Sequence, residues 1–576
     1  MTIRDLAEFG ELSPGEKKLI DGLSSGTLDR LGGTEPPDAG HKEREVRAAV
    51  LRELILGASF TLSRRQHEKA VRISGAWVTG TLDLEGCRIL RDVSLIDCGF
   101  ESPLILRSAI IDSLFLDGSV LPGMFADRLE VRGSVFLRSA TVNGTLHIPG
   151  TRIGGDLVLD GTTIANVNDV AIEGSNSEIR GDLTLRGAKI YGAVRIGGVR
   201  VGGDISAIGT CVEPADATRR EQSDSVAMTA NGARVEGDVS LRRARISGEV
   251  SMIGAHVAGD FYLDGGSFAA TQTHAVTLNR AVIKGALFLR EQAAIRGAFS
   301  LNAAHIGTIV DEPSSWPAPG DLLLNRCVYG GFLGTPVNAK ARLKWLARQS
   351  PERWGEDFWP QPYEQLSAVL NAMGHTEDAR SVLFEKERLQ RRARRNRAKN
   401  LWLRTILLVK DAFLRFTVGY GVRSSMAFVW LGLLWVAGVA MITLVEAQGE
   451  LRPNLPMLLR SPEWSLCGVP NTQELWLPSL DQIRRGLALP GQSQIACFVS
   501  QPESASFPKF NSWMYALDAL IPGLQTGQMD YWSPDTRFAL GRIAKTFEYI
   551  KMIVGWALSV LALASFSGVV KSPKSV

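Results

Sequence analysis

The chain has 576 residues, including 58 glycines, and balances 64 lysines and arginines against 60 aspartates and glutamates. This length excludes a single compact domain, because one hydrophobic core stops growing at roughly 250–300 residues. The net charge of +4 is unremarkable but hides a local asymmetry, since residues 388–404 carry eight cations and no acidic residue.

The first 60 residues predict a helical N-terminal cap. Ser13-Pro14-Gly15-Glu16 has the form of a helix N-terminus with a capping box and a proline at the first helical position. A second helix is predicted over residues 43–56, before Gly57. We expect these helices to cover the first coil of the repeats that follow, because an uncapped β-helix exposes strand edges. Residues 1–57 are charged throughout, so no signal peptide is expected.

Residues 61–335 carry an internal repeat. The strand-like phrase Ile-x-Gly-Asp-Leu-x-Leu recurs every eleven residues, and its glycine triplets begin 48, 56 and 48 residues apart. Two coils of 22 residues plus a four-residue loop would give 48, and a longer insertion within 211–228 would give 56. A fixed period of this kind indicates a solenoid. The glycines are Gly133, Gly144, Gly155, Gly181, Gly192, Gly203, Gly237, Gly248, Gly259, Gly285 and Gly297.

One copy shows why the repeats stack. In residues 188–196, apolar and polar side chains alternate, so Ile190, Val194 and Ile196 are predicted to point inward, with Gly192 allowing a close approach or a bend. A single strand cannot bury this face alone. The sequence therefore predicts a mainly β fold, a parallel β-helix of about 22 residues per coil and about eleven coils. The polar positions Arg195, Lys189, Arg186 and Asp182 are expected to form a solvated outer face rather than a ligand site.

Residues 336–421 predict a helical connector. Residues 363–373 and 376–389 form two helical patterns split by Gly374, an αα-hairpin of tetratricopeptide type, although one copy is a weak match. Residues 401–416 combine aliphatic and aromatic side chains with cations, which is typical of a helix at a membrane surface. The basic run leads directly into an apolar segment, which disfavours nucleic-acid binding. The predicted membrane-surface residues are Arg391, Arg392, Arg394, Arg395, Arg397, Lys399 and Arg404.

Two uncharged segments, residues 426–445 and 552–570, are each long enough to cross a bilayer core of about 30 Å. They predict transmembrane helices within domains 422–446 and 551–576. Short segments rich in lysine and arginine that flank a span stay on the cytoplasmic side of the membrane. Both termini are therefore expected to be cytoplasmic and residues 447–550 external. Cys467 and Cys497 lie in the external segment, where an oxidising environment permits a disulfide, but the sequence leaves their pairing open.

Sequence motifs for catalysis, cofactors and metals fail on their context. Residues 417–421 spell the potassium-channel filter but precede the first span, and the glycines of residues 419–424 lack the strand that a dinucleotide site needs. The seven histidines never occur four residues apart or close to a cysteine. No catalytic, cofactor-binding or metal-binding residue is therefore predicted, and no cofactor.

The whole layout, from the helix at 43–56 through the repeats to Tyr363-Glu364-Gln365-Leu366 and the two spans, resembles bacterial membrane proteins related to pentapeptide-repeat proteins. The similarity extends to residues 515–522 and 527–532 and covers nearly the full chain. It departs from true pentapeptide repeats in its spacing of eleven. Some of these proteins carry the automatic label membrane-associated oxidoreductase. The resemblance implies a bacterial inner-membrane location and brings no functional residues.

Three functions remain open from the sequence. The first is a membrane-tethered scaffold whose cytoplasmic repeats bind an unknown protein partner while its base meets anionic lipid headgroups, and this reading is favoured because the recognisable design is repeat plus anchor. The second is a channel or sensor in which spans from several copies assemble with the external segment. The third is an oxidoreductase. A homo-oligomer is compatible with each.

Overall fold

A computed structural model of the chain divides into two compact units, Met1–Lys386 and Glu387–Val576. The first unit is mainly β and the second mainly helical. The structure describes residues 9–23, 28–32, 36–37, 41–57, 70–213, 226–334, 336–398, 400–418, 425–468, 488, 491–521, 524 and 526–566.

The first unit begins with helix α1 (Pro14–Leu23), in which the predicted capping box is present. The Glu16 amide donates to Ser13 Oγ at 3.0 Å, and the Ser13 amide donates to the Glu16 carboxylate at 2.9 Å. The region also supplies strands β1 (Asp29–Arg30) and β2 (Glu45–Arg47), which pair in parallel with the first coil. The helix predicted over 43–56 therefore starts only at Ala48, as α2 (Ala48–Leu56), because pairing of Val46 with Val78 holds the preceding residues extended.

The predicted parallel β-helix of about 22 residues per coil is confirmed, with about eleven turns. Its strands form a 21-stranded and a 17-stranded sheet that include β1 and β2. In chain order they are β3 Val71–Ser74, β4 Trp77–Thr79, β5 Arg88–Ile89, β6 Val93–Ile96, β7 Gly99–Phe100, β8 Leu104–Ile105, β9 Ile110–Ile111, β10 Leu114–Phe115, β11 Val120–Leu121, β12 Met124–Phe125, β13 Glu130–Val131, β14 Val135–Phe136, β15 Thr141–Val142, β16 Leu146–His147, β17 Arg152–Ile153, β18 Leu157–Val158, β19 Thr163–Glu173, β20 Glu178–Ile179, β21 Leu183–Thr184, β22 Lys189–Arg195, β23 Arg200–Val201, β24 Ile205–Ser206, β25 Cys211–Glu213, β26 Val226–Thr229, β27 Arg234–Val235, β28 Val239–Ser240, β29 Arg245–Ser247, β30 Glu249–Ser251, β31 His256–Val257, β32 Phe261–Tyr262, β33 Ser267–Thr277, β34 Val282–Leu289, β35 Ala294–Ser300, β36 His305–Asp311, β37 Leu322–Leu323 and β38 Val328–Phe332.

Most coils contain four short strands, so each eleven-residue repeat usually holds two strands rather than one. The strands that begin at residues 130, 135, 141, 146 and 152 are separated alternately by five and six residues. The phrase Ile-x-Gly-Asp-Leu thus spans a bend, with Ile153 on one strand and Leu157 on the next. In β22 the phrase remains one continuous strand, and there Ile190, Val194 and Gly192 are buried while Lys189 and Arg195 are exposed, as the alternation predicts.

The glycine and the aspartate of the phrase form a ladder along the solenoid. The Asp204 amide donates to Asp182 Oδ1 at 2.8 Å, and the Gly203 amide donates to the Gly181 carbonyl at 3.0 Å. The aspartate side chain occupies the space that a Cβ on the glycine of the next coil would need, which explains why glycine precedes aspartate. The same amide-to-carboxylate contact joins consecutive members of the column Asp156, Asp182, Asp204, Asp238 and Asp260.

The irregular spacings of the repeat also have a structural origin. Leu157 pairs with Leu183, and the four additional residues of this coil lie within β19, with β33 repeating the arrangement 104 residues later. The predicted insertion within 211–228 lies between β25 and β26, and its residues 214–225 lie outside the described residues.

A buried ion pair closes the C-terminal end of the solenoid, a feature that the sequence did not reveal. Helix α3 (Ala339–Leu346) inserts Arg342, which donates to both Asp311 carboxylate oxygens at 2.9 and 2.8 Å. The indole of Trp316 donates to the same carboxylate at 2.7 Å, and the guanidinium lies 3.6 Å from the ring centre of Phe332. Removing either partner would leave the other charge buried and unpaired, so this contact holds α3 against the last coils.

The predicted hairpin is formed by α4 (Gln361–Ala372) and α5 (Thr376–Arg397), joined at Gly374, whose φ of +86° favours glycine. Short one-turn 3-10 helices occur at Lys42–Arg44, Pro313–Ser315 and Pro351–Trp354. Lys386 on α5 contacts Glu364 on α4 at 3.0 Å, which holds the two helices together.

The second unit is a helical assembly around a non-repeating core. Its elements are α6 Leu401–Val418, α7 Ser425–Ala447, β39 Leu451–Pro453, α8 Pro456–Leu459, α9 Pro462–Cys467, α10 Gln494–Val499, the 3-10 helix Pro502–Ser506, α11 Ser512–Asp518, α12 Gln528–Tyr531, β40 Trp532–Pro534 and α13 Ala539–Phe566. Strands β39 and β40 pair antiparallel. Buried aromatic side chains from α9, α11 and β40 pack with Ile442 and Val445 of α7.

Candidate functional site

The basic segment at the end of α5 contains both internal and solvent-facing cations. Arg391 and Arg395 contact Asp411 of α6 at 3.3 and 2.6 Å, and Asp411 is only 5% exposed. These two arginines therefore clamp α5 to α6 and neutralise a buried carboxylate. The sequence singled them out for a membrane surface but missed Asp411, the only acidic residue of α6.

Four other predicted membrane-surface residues have exposed side chains. Arg392, Arg394 and Arg397 follow one another along the end of α5, and Arg404 lies in the first turn of α6. Lys399 lies outside the described residues. A cluster of exposed guanidinium groups can meet anionic phosphate groups with little desolvation cost.

Helix α6 presents apolar side chains beside these cations. Trp402, Ile406 and Val409 are exposed at spacings of four and three residues, with Trp402 79% exposed. Lys410 is exposed as well, whereas the side chains of Phe413 and Phe416 lie outside the described residues. Exposed apolar side chains flanked by cations are typical of a helix that lies in a membrane interface.

Helix α7 contains a stretch that could cross a membrane. The most apolar 18 residues within Met426–Ala447 have a mean hydropathy of 2.3, and the length and composition of this stretch suffice for a span; among the described residues no other helix meets both conditions. Val429, Leu433, Val436 and Leu444 are exposed along one face. The opposite face buries Val439, Ile442 and Val445. These exposed apolar side chains would be unfavourable in water along the length of the helix, whereas contact with lipid would be favourable.

The second predicted span differs from the first. Helix α13 begins with three turns that carry Arg542, Lys545, Glu548 and Lys551, and only its later part is apolar. Residues 567–570 of the predicted span lie outside the described residues. A second crossing therefore stays a prediction.

The segment between α7 and α13 is held by a disulfide and by buried polar contacts. Cys467 and Cys497 are joined, with Cα atoms 5.7 Å apart. The buried Tyr515 hydroxyl donates to Glu548, and Lys545 contacts the same carboxylate at 2.9 Å. Burial, followed by the charge of Glu548, raises the pKa of Tyr515, so this phenol stays protonated. These contacts connect α11 to α13 within the second unit.

Three free cysteines of the solenoid are poorly suited to thiol redox chemistry. Burial raises the pKa of the Cys98 and Cys327 thiols to about 12. Burial, and then the hydrogen bond to Glu213, also raises the pKa of the half-buried Cys211. Thiolates are the reactive form, so these side chains are weak nucleophiles at neutral pH. In the part of the chain that the structure describes, no group of three or more His, Cys, Asp or Glu could hold a metal ion.

Of residues 417–421, which spell the filter motif, residues 417–418 end α6 and residues 419–421 lie outside the described residues. No protein-family model, curated protein or solved structure matches this chain.

Proposed function

We propose that the chain is a membrane-anchored scaffold whose solenoid lies in the cytoplasm and binds a protein partner. The observation that carries the proposal is the exposed apolar surface of α6 and α7 beside the exposed arginines of residues 392–404. Such a surface is unfavourable in water and favourable against anionic lipid. The stacked coils of the solenoid also provide an extended solvent-exposed surface, and repeat proteins use such surfaces to bind their partners.

The proposed topology has two spans, residues 426–445 and 552–570, with both termini in the cytoplasm. The cations before the first span, and Lys571 and Lys574 after the second, favour this orientation. The resemblance to bacterial membrane proteins favours the inner membrane.

Labelling of intact cells tests the orientation. Ser506 is exposed, whereas the neighbouring Ser504 is buried and donates to the Val499 carbonyl at 2.9 Å. We expect Ser506→Cys to react with a membrane-impermeant thiol reagent, and Ser504→Cys to react only after unfolding. Protection of Ser506→Cys in intact cells, with labelling after lysis, would reverse the proposed topology.

Vesicle binding tests the lipid contact. A chain that ends at residue 421 should sediment with anionic vesicles at low salt, because each cation near such a surface contributes about 1 kcal/mol. Glutamine at Arg392, Arg394, Arg397 and Arg404 should abolish most of this binding, while leaving the clamp of Arg391 and Arg395 on Asp411 intact. The control places glutamine at four exposed solenoid arginines and should change little: Arg180, Arg200, Arg234 and Arg296. Equal binding to neutral vesicles would contradict the proposal.

Photo-crosslinking tests the partner. Crosslinkers at the exposed solenoid positions Arg180, Arg200 and Arg234 in the full chain, followed by extraction in detergent, should give a discrete protein adduct. If none of these positions and no position on the other solenoid faces gives an adduct, the scaffold function is wrong.

A channel or sensor is the second candidate, and one observation favours it. Lys551 is buried beside α7, where its ammonium donates to the Ala516 carbonyl at 3.1 Å and occupies the space that Gly438 leaves open. Ionisable groups buried between membrane helices often mark an ion pathway. Ion flux in liposomes that contain the purified chain, lost in Lys551→Met, would support this function. The oxidoreductase activity suggested by the resemblance gains no such observation from the described residues.

A further inference from the structure

The second unit contains a cavity of about 460 Å³ that the scaffold proposal does not use. Its walls are mainly apolar, and the volume lies within the range of roughly 300–1,000 Å³ that is typical of small-molecule sites. Leu520, Ile521 and Met529 form one side, and Met552, Ile553 and Trp556 of α13 form the other.

The wall facing α13 is held in place by the backbone. Gly555 lets the Leu520 carbonyl approach α13 so closely that an added Cβ would lie 2.5 Å from its oxygen. The Asp518 carboxylate accepts the amides of Thr526 at 2.9 Å and Met529 at 3.1 Å, which ties these two residues to the end of α11. The cavity is therefore a built feature of this unit.

Its rim carries a negative charge. Asp518 is satisfied by the two amides, whereas Asp530 is exposed and forms no ion pair with any described residue. A carboxylate that has no ion-pair partner among the described residues, beside an apolar cavity, attracts a ligand that combines a cationic group with a hydrocarbon chain and repels an anionic one.

An apolar stripe leads into the cavity. Ile553 and Trp556 are followed on α13 by Val560 and Leu563, at spacings of three, four and three residues, and all four are exposed. Such spacing places them on one face of the helix. In the proposed topology, this face meets acyl chains, so the cavity opens toward lipid.

The position of α11 along α7 agrees with this location. Trp513 of α11 packs edge to face on Trp435 with ring centres 5.4 Å apart, and the Trp435 indole donates to the Trp513 carbonyl at 3.1 Å. Trp435 lies nine residues after Met426, about 13 Å along a helix that spans a core of about 30 Å. Residues 512–521 would then lie beside α7 near the middle of the bilayer core, which the ends of the acyl chains of outer-leaflet lipid reach.

We infer that this cavity holds one acyl chain of an outer-leaflet phospholipid whose headgroup ammonium pairs with Asp530. The inference rests on the proposed membrane anchoring. The proposed cavity site would prefer a lipid with a cationic group in its headgroup, whereas the arginines at the end of α5 are proposed to prefer anionic lipids.

Native mass spectrometry of the full chain in mild detergent tests the site, with added phosphatidylethanolamine and phosphatidylglycerol of identical acyl chains. We expect one phosphatidylethanolamine retained per chain with a preference of about fivefold, the size expected for one partly exposed ion pair. Asp530→Asn should remove the preference, while Glu503→Gln, another exposed acid of this segment, should keep it. Equal retention of the two lipids by the unaltered chain would overturn the inference.

Filling the cavity gives an independent test. Ile553→Trp should reduce retention of both lipids, whereas Leu563→Trp, on the same face and equally 70% exposed, should not. If the two substitutions change lipid retention equally, the retained lipid surrounds the helices in general and does not occupy the cavity, which would refute the proposed site. Sedimentation of membranes washed at high pH measures anchoring separately. A chain that stays with the membrane but retains no lipid refutes this site alone, and a chain released by the wash refutes the anchor.

Discussion

The solenoid and the second unit bury similar apolar side chains but hold them by different means. In the solenoid, the same glycine amide and aspartate carboxylate contacts recur from coil to coil. In the second unit, each contact occurs once: a disulfide, the Tyr515–Glu548 hydrogen bond, and edge-to-face aromatic pairs such as Phe507 with Trp532. Repetition spreads stability over many equivalent contacts, whereas the second unit concentrates it in a few.

A charge placed in the solenoid core should have the largest effect. Val194→Asp buries an unpaired carboxylate and should destabilise the coil by about 4 kcal/mol or more. Arg195→Asp, at the exposed neighbouring position, should be nearly silent. Hydrogen exchange of the full chain would show loss of protection in the coils next to residue 194 for the first substitution only. Equal protection in both variants would contradict the assigned inward face.

Loss of the disulfide should have the next largest effect, and it should be confined to the second unit. Cys497→Ser opens a loop with a sequence separation of 30 residues, and chain entropy assigns about 3.5 kcal/mol to such a closure. Amides of β39 and β40 should exchange faster while those of the solenoid do not change. Cys211→Ser is the control, since that thiol is free. Reactive thiols at both positions in the unreduced, unaltered protein would show that the pair does not form.

The glycine column should be less sensitive than the core. Gly203→Ala places a Cβ where Asp182 Oδ1 lies and should cost about 2 kcal/mol by overpacking. Gly197→Ala has its nearest neighbour at 3.8 Å and should be tolerated. Thermal unfolding measures both. Adding Asp182→Ala should recover part of the Gly203→Ala loss, and strict additivity would show that the aspartate does not fill this space.

The smallest predicted effect is a gain in stability. Gly174 borders an apolar gap in the solenoid core of about 20 Å³, and an added Cβ would meet Ile148 and Ile196 at 3.4–3.5 Å, an ordinary contact distance. Gly174→Ala should therefore stabilise the solenoid by about 1 kcal/mol, because it fills space and reduces the freedom of the unfolded chain. Gly187→Ala, at a φ of +66°, should destabilise it. A lower melting temperature for Gly174→Ala would contradict the assignment of the gap.

The repeat made the solenoid predictable, because each coil faces the same packing requirement. The period of eleven predicts the coil length. The triplet spacings of 48 and 56 residues predict that extra residues are inserted, and the longer spacing locates one insertion within 211–228. Alternation in residues 189–195 was sufficient to separate inward from outward positions. Alternation could not reveal that most repeats divide into two strands at the glycine, because a bend keeps the same inward positions.

Contacts between distant and unrepeated residues could not be predicted. Asp411 lies 16 and 20 residues from the arginines that it binds, and nothing in the apolar pattern of α6 indicates that it is buried. In the sequence, Arg342 and Asp311 likewise look like ordinary charged residues, and only the packing of α3 on the last coils brings them together. The strand at residues 45–47 lies within the predicted helix 43–56, because three residues are too few to show the alternation of a strand.

The aspartate ladder also has a direction, which bears on how such a protein could change during evolution. Each aspartate offers its carboxylate to the following coil and its amide to the preceding one, from the Ser134 hydroxyl that accepts from Asp156 to the Ala286 amide that donates to Asp260. A duplication or deletion of one full coil would leave every remaining donor facing an acceptor. A change of eleven residues would move the aspartates to the opposite side and break the ladder. The number of coils is therefore free to vary in whole turns, which would let this architecture adjust its reach without redesigning its core.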